Sequence, residues 1–188
     1  MNKETKIYIA GHNGMVGSAC WELFYDRGYK NLLGKSSSCL DLRDQKSVEE
    51  FFKNEKPEVV VDAAAKVGGI FANDEYPYKF LMDNMLIQNN LINSAFKNNI
   101  QKFIFLGSSC IYPKFSNQPI KEEYLLTDSL EETNQWYSIA KISGIKACES
   151  IFKKHKKSFI SLMPTNLYGI KDNFDLKTSH VLPALIRK

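Results

Sequence analysis

The sequence has 188 residues, of which 44% are hydrophobic and 24% charged, a balance typical of a folded globular domain and not of a disordered chain. Its formal net charge of +4 comes largely from the run Lys153 to Lys157. We interpret this run as a solvated helix end, which argues against a nucleic-acid-binding protein. The four cysteines form no Cys-x-x-Cys pair, and no signal peptide or long apolar run is present. We therefore expect free thiols, a cytoplasmic location, no membrane span and no metal site.

Short apolar runs alternate with helical patterns along the chain. The runs predict strands at about 6–10, 31–34, 59–63, 102–107 and 159–163. Helices are predicted from the first turn to about residue 27, at about 44–54, at about 78–98 and from Tyr137 onward. The β-branched run at 59–63 suits a strand that is buried on both faces. This alternation predicts an α/β fold with a doubly wound parallel sheet of the Rossmann type.

The domain organisation is predicted from the same pattern. Residues 1–165 are expected to form a dinucleotide-binding domain, and residues 166–188 the start of a substrate-binding region. The last eight residues resemble the opening of a helix with nothing after it, so we expect a fragment that lacks most of a second domain. The polar connection of roughly 25 residues before Tyr137 is expected to be a functional loop.

A glycine turn follows the first predicted strand. Gly11, Gly14 and Gly17 lie between this strand and a helix. Such glycines allow a sharp bend, a close approach to a pyrophosphate and tight packing of helix against strand, while the helix N-terminus supplies N–H donors. The spacing differs from the commonest dinucleotide fingerprint, but its position between a strand and a helix predicts a dinucleotide site over a plain turn.

The end of the second strand bears on which dinucleotide binds. An acidic residue there favours the bare ribose hydroxyl of NAD, and cations favour the 2′-phosphate of NADP. The tip reads Gly34 to Ser38 and carries Lys35 and three serines, including Ser37, without an acid. The tip therefore favours NADP(H). Asp41 lies later and either faces the adenine side or caps the following helix.

Tyr137 and Lys141 are four residues apart and share one helix face. A free phenol titrates near ~10, so it needs a nearby cation to act as an acid or base at neutral pH, and Lys141 is positioned to be that cation. The alternative is an ordinary solvated helix face. Ser108 follows a buried strand and is a candidate to hydrogen-bond a substrate oxygen alongside Tyr137, or else a turn serine.

Cys110 and His180 are weaker candidates from the residues alone. A cysteine after a strand is more often an inert buried residue than a base. A lone histidine such as His180 is usually structural. Both alternatives stay open at the level of the sequence.

Several stretches of the sequence match a known family. They read IAGHNGMVGSA (9–19), AAAKVGGI (63–70), FLGSSCIYPK (105–114), YSIAKISGIKACES (137–150) and MPTNLYG with DNF and SHVLPAL (163–185). With them the chain resembles the extended short-chain dehydrogenases nearly from end to end. Among these it is most similar to members that convert GDP-4-keto-6-deoxy-D-mannose to GDP-L-fucose by 3,5-epimerisation and reduction at C4.

The resemblance implies a role for each matching residue. Tyr137 would protonate the C4 oxygen with support from Ser108 and Lys141. Cys110 and His180 would be the base and acid of epimerisation, and Lys188 would lie near the GDP diphosphate. The residues expected to bind NADP(H) are Gly11, His12, Asn13, Gly14, Met15, Val16, Gly17, Lys35, Ser37, Asp41, Leu42, Ala63, Ala64, Ala65, Leu106, Gly107, Lys141, Pro164, Thr165, Asn166, Leu167 and His180.

Two departures from the family pattern affect the cofactor. Asn13 and Ser37 stand where some members have an arginine near the 2′-phosphate, so NAD remains an alternative to NADP. The expected partners are a nucleotide sugar and a second copy of the chain, bound through the helices near 78–98 and 137–154. A 4,6-dehydratase is disfavoured, since it needs an Asp-Glu pair where Ser109 and Cys110 stand. A nucleotide-sugar 4-epimerase and a non-catalytic cofactor sensor remain as alternatives.

Overall fold

A computed structural model describes residues 1–176 and 178–188. Its centre is one sheet with the strand order β2-β1-β3-β4-β5, in which all neighbours are parallel. The strands are β1 (Ile7–Ala10), β2 (Leu32–Leu33), β3 (Val59–Asp62), β4 (Lys102–Leu106) and β5 (Ser158–Leu162). The predicted doubly wound parallel sheet is confirmed. The chain winds away in opposite directions from β1 and β3, so the ligand crevice of such a sheet opens between their carboxyl ends.

Helices cover both faces of the sheet. They are α1 (Met15–Asp26), α2 (Gln45–Glu55), α3 (Ile70–Glu75), α4 (Pro77–Lys97), α5 (Gln135–His155) and α6 (Val181–Arg187). The short α3 is absent from the sequence-based prediction. Pro77 separates it from α4, because proline disfavours helical backbone in the residue before it and suits the first position of a new helix.

The strands β1 and β3 bury both of their faces, and β4 buries one face fully and the other in part. Tyr8, Val60 and Phe103 belong to the larger core, which also contains residues of α2, α4 and α5. Ile7 and Val59 belong to a smaller core that packs against α1. Burial on both sides explains why these strands read as continuous apolar runs and not as alternating ones.

The basic run ends α5. Lys153, Lys154 and His155 form the last turn of the helix and are exposed, and Lys156 closes it with a left-handed backbone at φ 56°. The interpretation of this run as a solvated helix end is confirmed. The positive charges lie where they complement the negative end of the helix dipole.

Two features of the described residues bear on other protein classes. Among them, no helix combines the length and the apolar character that crossing a bilayer requires. No group of three or more His, Cys, Asp or Glu side chains able to hold a metal ion is found in the same residues.

Gly144 tests how α5 is seated on the sheet. A Cβ at this position would lie 2.5 Å from Cζ of Phe105 and 3.1 Å from Cδ of Gln88. We therefore expect Gly144→Ala to lower the free energy of unfolding by about 1–3 kcal/mol in urea denaturation, because overpacking outweighs the better helix propensity of alanine. The exposed Ser150→Ala in the same helix is the control and should stay within about 0.5 kcal/mol. Equal stability of the two variants would contradict this account of the α5 contact.

Candidate active site

The glycine turn connects β1 to α1 through close backbone contacts. Gly11 has φ +76°, and a Cβ there would lie 2.7 Å from the Ala63 carbonyl oxygen. A Cβ on Gly17 would lie 2.1 Å from the Gly11 carbonyl oxygen. At Gly14 the nearest atom would be 3.4 Å away, so this glycine is not required by the packing of the protein itself. Gly14 is exposed.

The start of α1 has the features of an anion site. Gly14 is the N-cap with an extended backbone and makes no side-chain cap, which leaves the first-turn N–H groups to a ligand. Met15 and Val16 open this turn, and Asn13 is exposed beside it. His12 lies against Trp21 with 5.6 Å between ring centroids. Its buried Nδ1 has no hydrogen-bond partner within the described residues. Burial, and secondarily Lys171, lowers the pKa of His12. These residues fit a dinucleotide.

The end of β2 carries the cation predicted there. Lys35 is exposed and lies 3.8 Å from a Glu55 carboxylate oxygen, and Ser37 is exposed close by. Both side chains are accessible to a ligand phosphate. The tip is also ordered by a hydrogen bond of 2.8 Å between the Ser36 and Ser38 hydroxyls.

Asp41 does not cap the next helix. The cap of α2 is Asp44, whose carboxylate accepts from the Lys46 N–H at 3.1 Å. Asp41 instead accepts two side-chain hydrogen bonds from Arg43, at 2.9 and 2.8 Å, and these lower the pKa of Asp41 to about 2. The alternative in which Asp41 caps α2 is therefore wrong. The neighbouring Leu42 carbonyl accepts from Asn90 of α4.

The turn after β3 lies beside the glycine turn. Ala63, Ala64 and Ala65 are half-buried here, and the Ala63 N–H donates to the Ala10 carbonyl at 3.1 Å. The Ala64 N–H donates to Asp62 at 3.2 Å. The hydrogen bond between Ala63 and Ala10 brings the carboxyl ends of β1 and β3 together at the crevice between them.

The turn after β4 brings Ser108 and Cys110 together. The Cys110 thiol donates to the Ser108 hydroxyl oxygen at 3.1 Å, and the Cys110 N–H contacts the same oxygen at 3.4 Å. Ser108 is therefore a turn-capping serine, but its own O–H can still donate to a ligand because a hydroxyl both donates and accepts. Ser138 of α5 donates to the Cys110 carbonyl at 2.9 Å, which ties the turn to the helix that carries Tyr137.

Lys141 is buried, with 3% of its surface exposed. Its ammonium donates to the Leu106 carbonyl at 2.9 Å and lies 5.8 Å from the centroid of the Tyr137 ring. Burial lowers the pKa of Lys141, while the charges of Asp62 and Cys110 act in the opposite direction.

Burial dominates the pKa shift of the Tyr137 phenol. Burial raises its pKa, and the charges of Cys110 and then Asp62 add to the shift. The Lys141 ammonium lies near the Tyr137 ring while it donates to the Leu106 carbonyl. Tyr137 is therefore a protonated phenol at neutral pH, a state suited to donating a proton.

The other predicted residues lie around this centre. Pro164, Thr165, Asn166 and Leu167 form the loop after β5, where the Pro164 carbonyl accepts from the Ser109 N–H at 3.2 Å. A cleft of about 440 Å³ opens at this point, with lining residues that include Ser109, Tyr112, Met163 and Thr165. Leu106 and Gly107 close the end of β4.

His180 and Lys188 belong to the last segment. His180 is the N-cap of α6, and Lys188 is the exposed residue at its other end. The preceding Thr178 carbonyl accepts from the Gly69 N–H at 2.9 Å, so the segment reaches the loop after β3. Within residues 1–176 and 178–188, no hydrogen bond joins His180 to Ser108, Cys110 or Tyr137. The structure thus places Tyr137 and Cys110 near Lys141, joins Ser108 to Cys110 by a hydrogen bond, and puts His180 at the start of α6.

The sequence does not predict the importance of two residues in this region, Asp62 and Ser138. Asp62 is a carboxylate at the end of an otherwise apolar strand, and its only sequence signal is a charge in a run of valines. Ser138 lies beside Tyr137, but nothing in the sequence indicates that its hydroxyl contacts Cys110. Both act through contacts between residues that are distant in the chain.

A sequence profile of a known family matches most of the chain. The NAD dependent epimerase/dehydratase family matches residues 7–188. The chain belongs to this family. The glycine turn and the group around Tyr137 lie within the matched range.

Individual relatives in this family are similar over the whole chain. GDP-L-fucose synthase 1 of Arabidopsis thaliana is 54% identical over 187 residues, which cover 100% of this chain and 58% of the relative. GDP-L-fucose synthase of Escherichia coli K12 is 49% identical over 188 residues, with 100% and 58% covered. A solved GDP-mannoheptose C4 reductase of Campylobacter jejuni with NADP bound has a TM-score of 0.93 at 44% identity, with 100% and 55% covered. The chain thus spans little more than half the length of these relatives.

Gly14 and Gly17 form a matched pair that separates ligand contact from packing. We expect Gly17→Ala to lose both thermal stability and NADPH affinity, because its Cβ would collide with the Gly11 carbonyl at 2.1 Å. Gly14→Ala should keep the melting temperature and lose about tenfold or more in NADPH affinity, which corresponds to about 1.4 kcal/mol. Thermal unfolding and fluorescence titration measure the two effects. Full NADPH affinity in both variants would show that the turn does not hold the dinucleotide.

Proposed function

We propose that the protein containing this chain is an NADPH-dependent epimerase-reductase that converts GDP-4-keto-6-deoxy-D-mannose to GDP-L-fucose. The observation that carries the proposal is that Ser108 and Cys110 are hydrogen-bonded to each other, while Tyr137 interacts electrostatically with Cys110 and lies beside the buried Lys141. They occur in a chain about half identical to proteins named GDP-L-fucose synthase. Because the chain covers 58% of these relatives, the proposal concerns the full-length protein.

The chemistry of the substrate explains why these side chains belong together. Hydrogens on C3 and C5 are acidic because each carbon is next to the C4 ketone. Ser108 and Tyr137 hydrogen-bond the C4 oxygen and stabilise the charge that develops there. Cys110 and His180 then exchange protons at C3 and C5, since thiol and imidazole ionise near neutrality, with unperturbed pKa values of about 8.5 and 6.5.

Reduction uses the same donors. When bound, NADPH supplies hydride to C4, and the Tyr137 phenol gives its proton to the C4 oxygen. The raised pKa of Tyr137 supports this role, because the phenol stays protonated at neutral pH until the oxygen gains charge. Lys141 stabilises the phenolate once it forms.

The cofactor preference rests on the two anion sites. The uncapped start of α1 would hold the pyrophosphate, and Lys35 with Ser37 would meet the 2′-phosphate. Pro164, Thr165, Asn166 and Leu167 would line the nicotinamide end. Lys35 is the positive charge that supports NADP over NAD, because Asn13 and Ser37 are neutral.

The remaining expectations are proposals about the whole protein. Residues 1–165 would form the dinucleotide-binding domain, and residues 166–188 would begin the substrate region, with Lys188 near the GDP diphosphate. A homodimer would form through α4 and α5, which pack together and leave Leu86 and Ile139 exposed. A reducing compartment such as the cytoplasm suits Cys110, because only a free thiol can serve as the base.

A second candidate substrate comes from the C4 reductase of Campylobacter jejuni. At 44% identity and a TM-score of 0.93, this relative supports a GDP-linked keto-heptose as the alternative sugar. Both candidates share the C4 ketone and the GDP group. They differ from C6 onward, so competition between the two sugars distinguishes them.

The primary test is NADPH oxidation by the full-length gene product. With GDP-4-keto-6-deoxy-D-mannose we expect turnover that falls by about 10²–10⁴-fold in Tyr137→Phe, because the phenol is the proton donor. NADPH affinity should survive in this variant. The assay also compares NADPH with NADH, and GDP-4-keto-6-deoxy-D-mannose with the GDP-linked keto-heptose. Turnover with neither sugar would refute the proposed reaction, and faster turnover of the heptose would favour the second candidate.

Proton exchange is measured separately from reduction. In deuterium oxide without NADPH, we expect Cys110→Ser to slow deuterium uptake at C3 and C5 of the substrate by about 10²–10⁴-fold, since a hydroxyl is a far weaker acid than a thiol. The exposed Cys39→Ser is the control and should exchange normally. Mass spectrometry follows the uptake. Normal exchange in Cys110→Ser would remove this thiol from the mechanism.

A further inference from the structure

Asp62 is a buried carboxylate that the proposed reaction leaves without a task. Only 1% of its surface is exposed, and it ends the strand Val59–Asp62, whose other residues are valines. One carboxylate oxygen accepts from the Ala64 N–H at 3.2 Å. The other, Oδ2, has no hydrogen-bond partner among the described residues. A carboxylate buried in this way is costly unless a positive charge offsets it.

The strand register and a ring contact show which positive charge lies near Asp62. Asp62 of β3 is paired with Phe105 of β4, and laterally paired residues direct their side chains to the same face of a sheet. The Lys141 ammonium lies over the Phe105 ring at 4.7 Å from its centroid. Asp62 and Lys141 are therefore neighbours on the face of the sheet that α5 covers. Burial raises the pKa of Asp62 and lowers that of Lys141, and the electrostatic attraction between the two groups acts against both shifts.

Each of these two buried groups favours the charged form of the other. Burial alone favours neutral lysine and neutral carboxyl groups. Burial raises the pKa of Asp62 to about 6, with Lys141 acting against the shift, so the carboxyl group is ionised above that pH. An ionised Asp62 in turn favours the ammonium form of Lys141. The hydrogen bond to the Leu106 carbonyl requires only a donor and does not by itself fix the charge of Lys141.

Other titratable groups surround the pair. Tyr8 of β1 faces it on the same side of the sheet, and Asp62 raises the Tyr8 pKa. Tyr137 and Cys148 approach from α5 and Cys110 from the turn after β4, and each interacts electrostatically with Asp62 or Lys141. The α4 side contributes the neutral side chains of Asn84 and Gln88. Lys141 is thus the cation in this set, and Asp62 is the residue whose charge sustains it.

We propose that Asp62 is a positioning residue for the reduction, which keeps the buried Lys141 in its ammonium form so that a cation stands beside the Tyr137 phenol. This inference rests on the proposed function for its catalytic meaning. Asp62 is buried and acts through Lys141. Its effect on the charge of Lys141 is a property of the protein alone.

The test measures the titration of Lys141 directly. The full-length protein is labelled with ¹³C at lysine Cε, and the Lys141 resonance is assigned by its loss in Lys141→Arg. We expect Asp62→Asn to shift the Lys141 titration to lower pH by about one unit or more, since a carboxylate nearby favours the ammonium. Asn keeps the volume and can still accept from Ala64, so a merely structural role for Asp62 predicts no shift. The exposed Asp26→Asn is the control and should titrate as the wild type does.

Kinetics give the second readout. The basic limb of the kcat profile for NADPH oxidation should move to lower pH in Asp62→Asn by the same amount. Lys141→Arg should make the profile insensitive to Asp62→Asn, because arginine stays protonated at every accessible pH. An unchanged Lys141 titration would overturn the inference while leaving the proposed reaction intact. Absence of turnover in the wild type would refute the reaction without touching the titration result.

A wild-type measurement covers the case in which Asp62→Asn fails to fold. Protonation of Asp62 should then be visible as a step in the Lys141 Cε shift near pH 6, because the neighbouring charge disappears there. The step supports the pairing of the two charges. A Lys141 resonance without that step would overturn the inference.

Discussion

The hydrogen bond from the buried Lys141 ammonium to the Leu106 carbonyl fixes α5 against the carboxyl end of β4. Three neighbouring contacts depend on that docking. Ser138 reaches the Cys110 carbonyl, Gly144 leaves space for the Phe105 ring, and Tyr137 comes to lie beside the turn after β4. A charged-group hydrogen bond in a site closed to water is worth about 1.5–3 kcal/mol. One lysine therefore both holds the helix and sets the electrostatics of the phenol.

The crevice between β1 and β3 is made by backbone and not by side chains. Gly11, Gly17 and Ala63 approach so closely that a Cβ on either glycine would overlap a carbonyl oxygen. This contact brings the start of α1 next to the ends of the strands that carry the reactive groups. The anion site and the reactive group are thus neighbours because of strand order. The same sheet that closes the core sets the distance between them.

The sequence predicts most of this fold because its signals are local. The valines at 59–61, the glycines at 11, 14 and 17 and the four-residue spacing of Tyr137 and Lys141 each identify an element from neighbouring residues. The short α3 carries no such signal, because six residues are fewer than a hydrophobic repeat needs. The roles of Asp62 and Ser138 are not predicted from the sequence for another reason. Their partners, Lys141 and Cys110, are brought close only by the folded sheet.

The face of the sheet that α5 covers combines the larger apolar core with buried polar groups. On the α1 face, Ile7, Ile9, Val59 and Val61 form an apolar cluster. On the α5 face, buried polar atoms without hydrogen-bond partners among the described residues occur at Tyr8 OH, Asp62 Oδ2 and Gln88 Oε1. Each such atom costs about 1–3 kcal/mol relative to a satisfied one. An apolar core on both faces would be more stable, but it could not support a buried ammonium, because the ammonium needs nearby polar groups to remain charged. These polar groups are therefore the cost of holding a cation beside Tyr137, and the apolar residues of the larger core on the same face help to offset it.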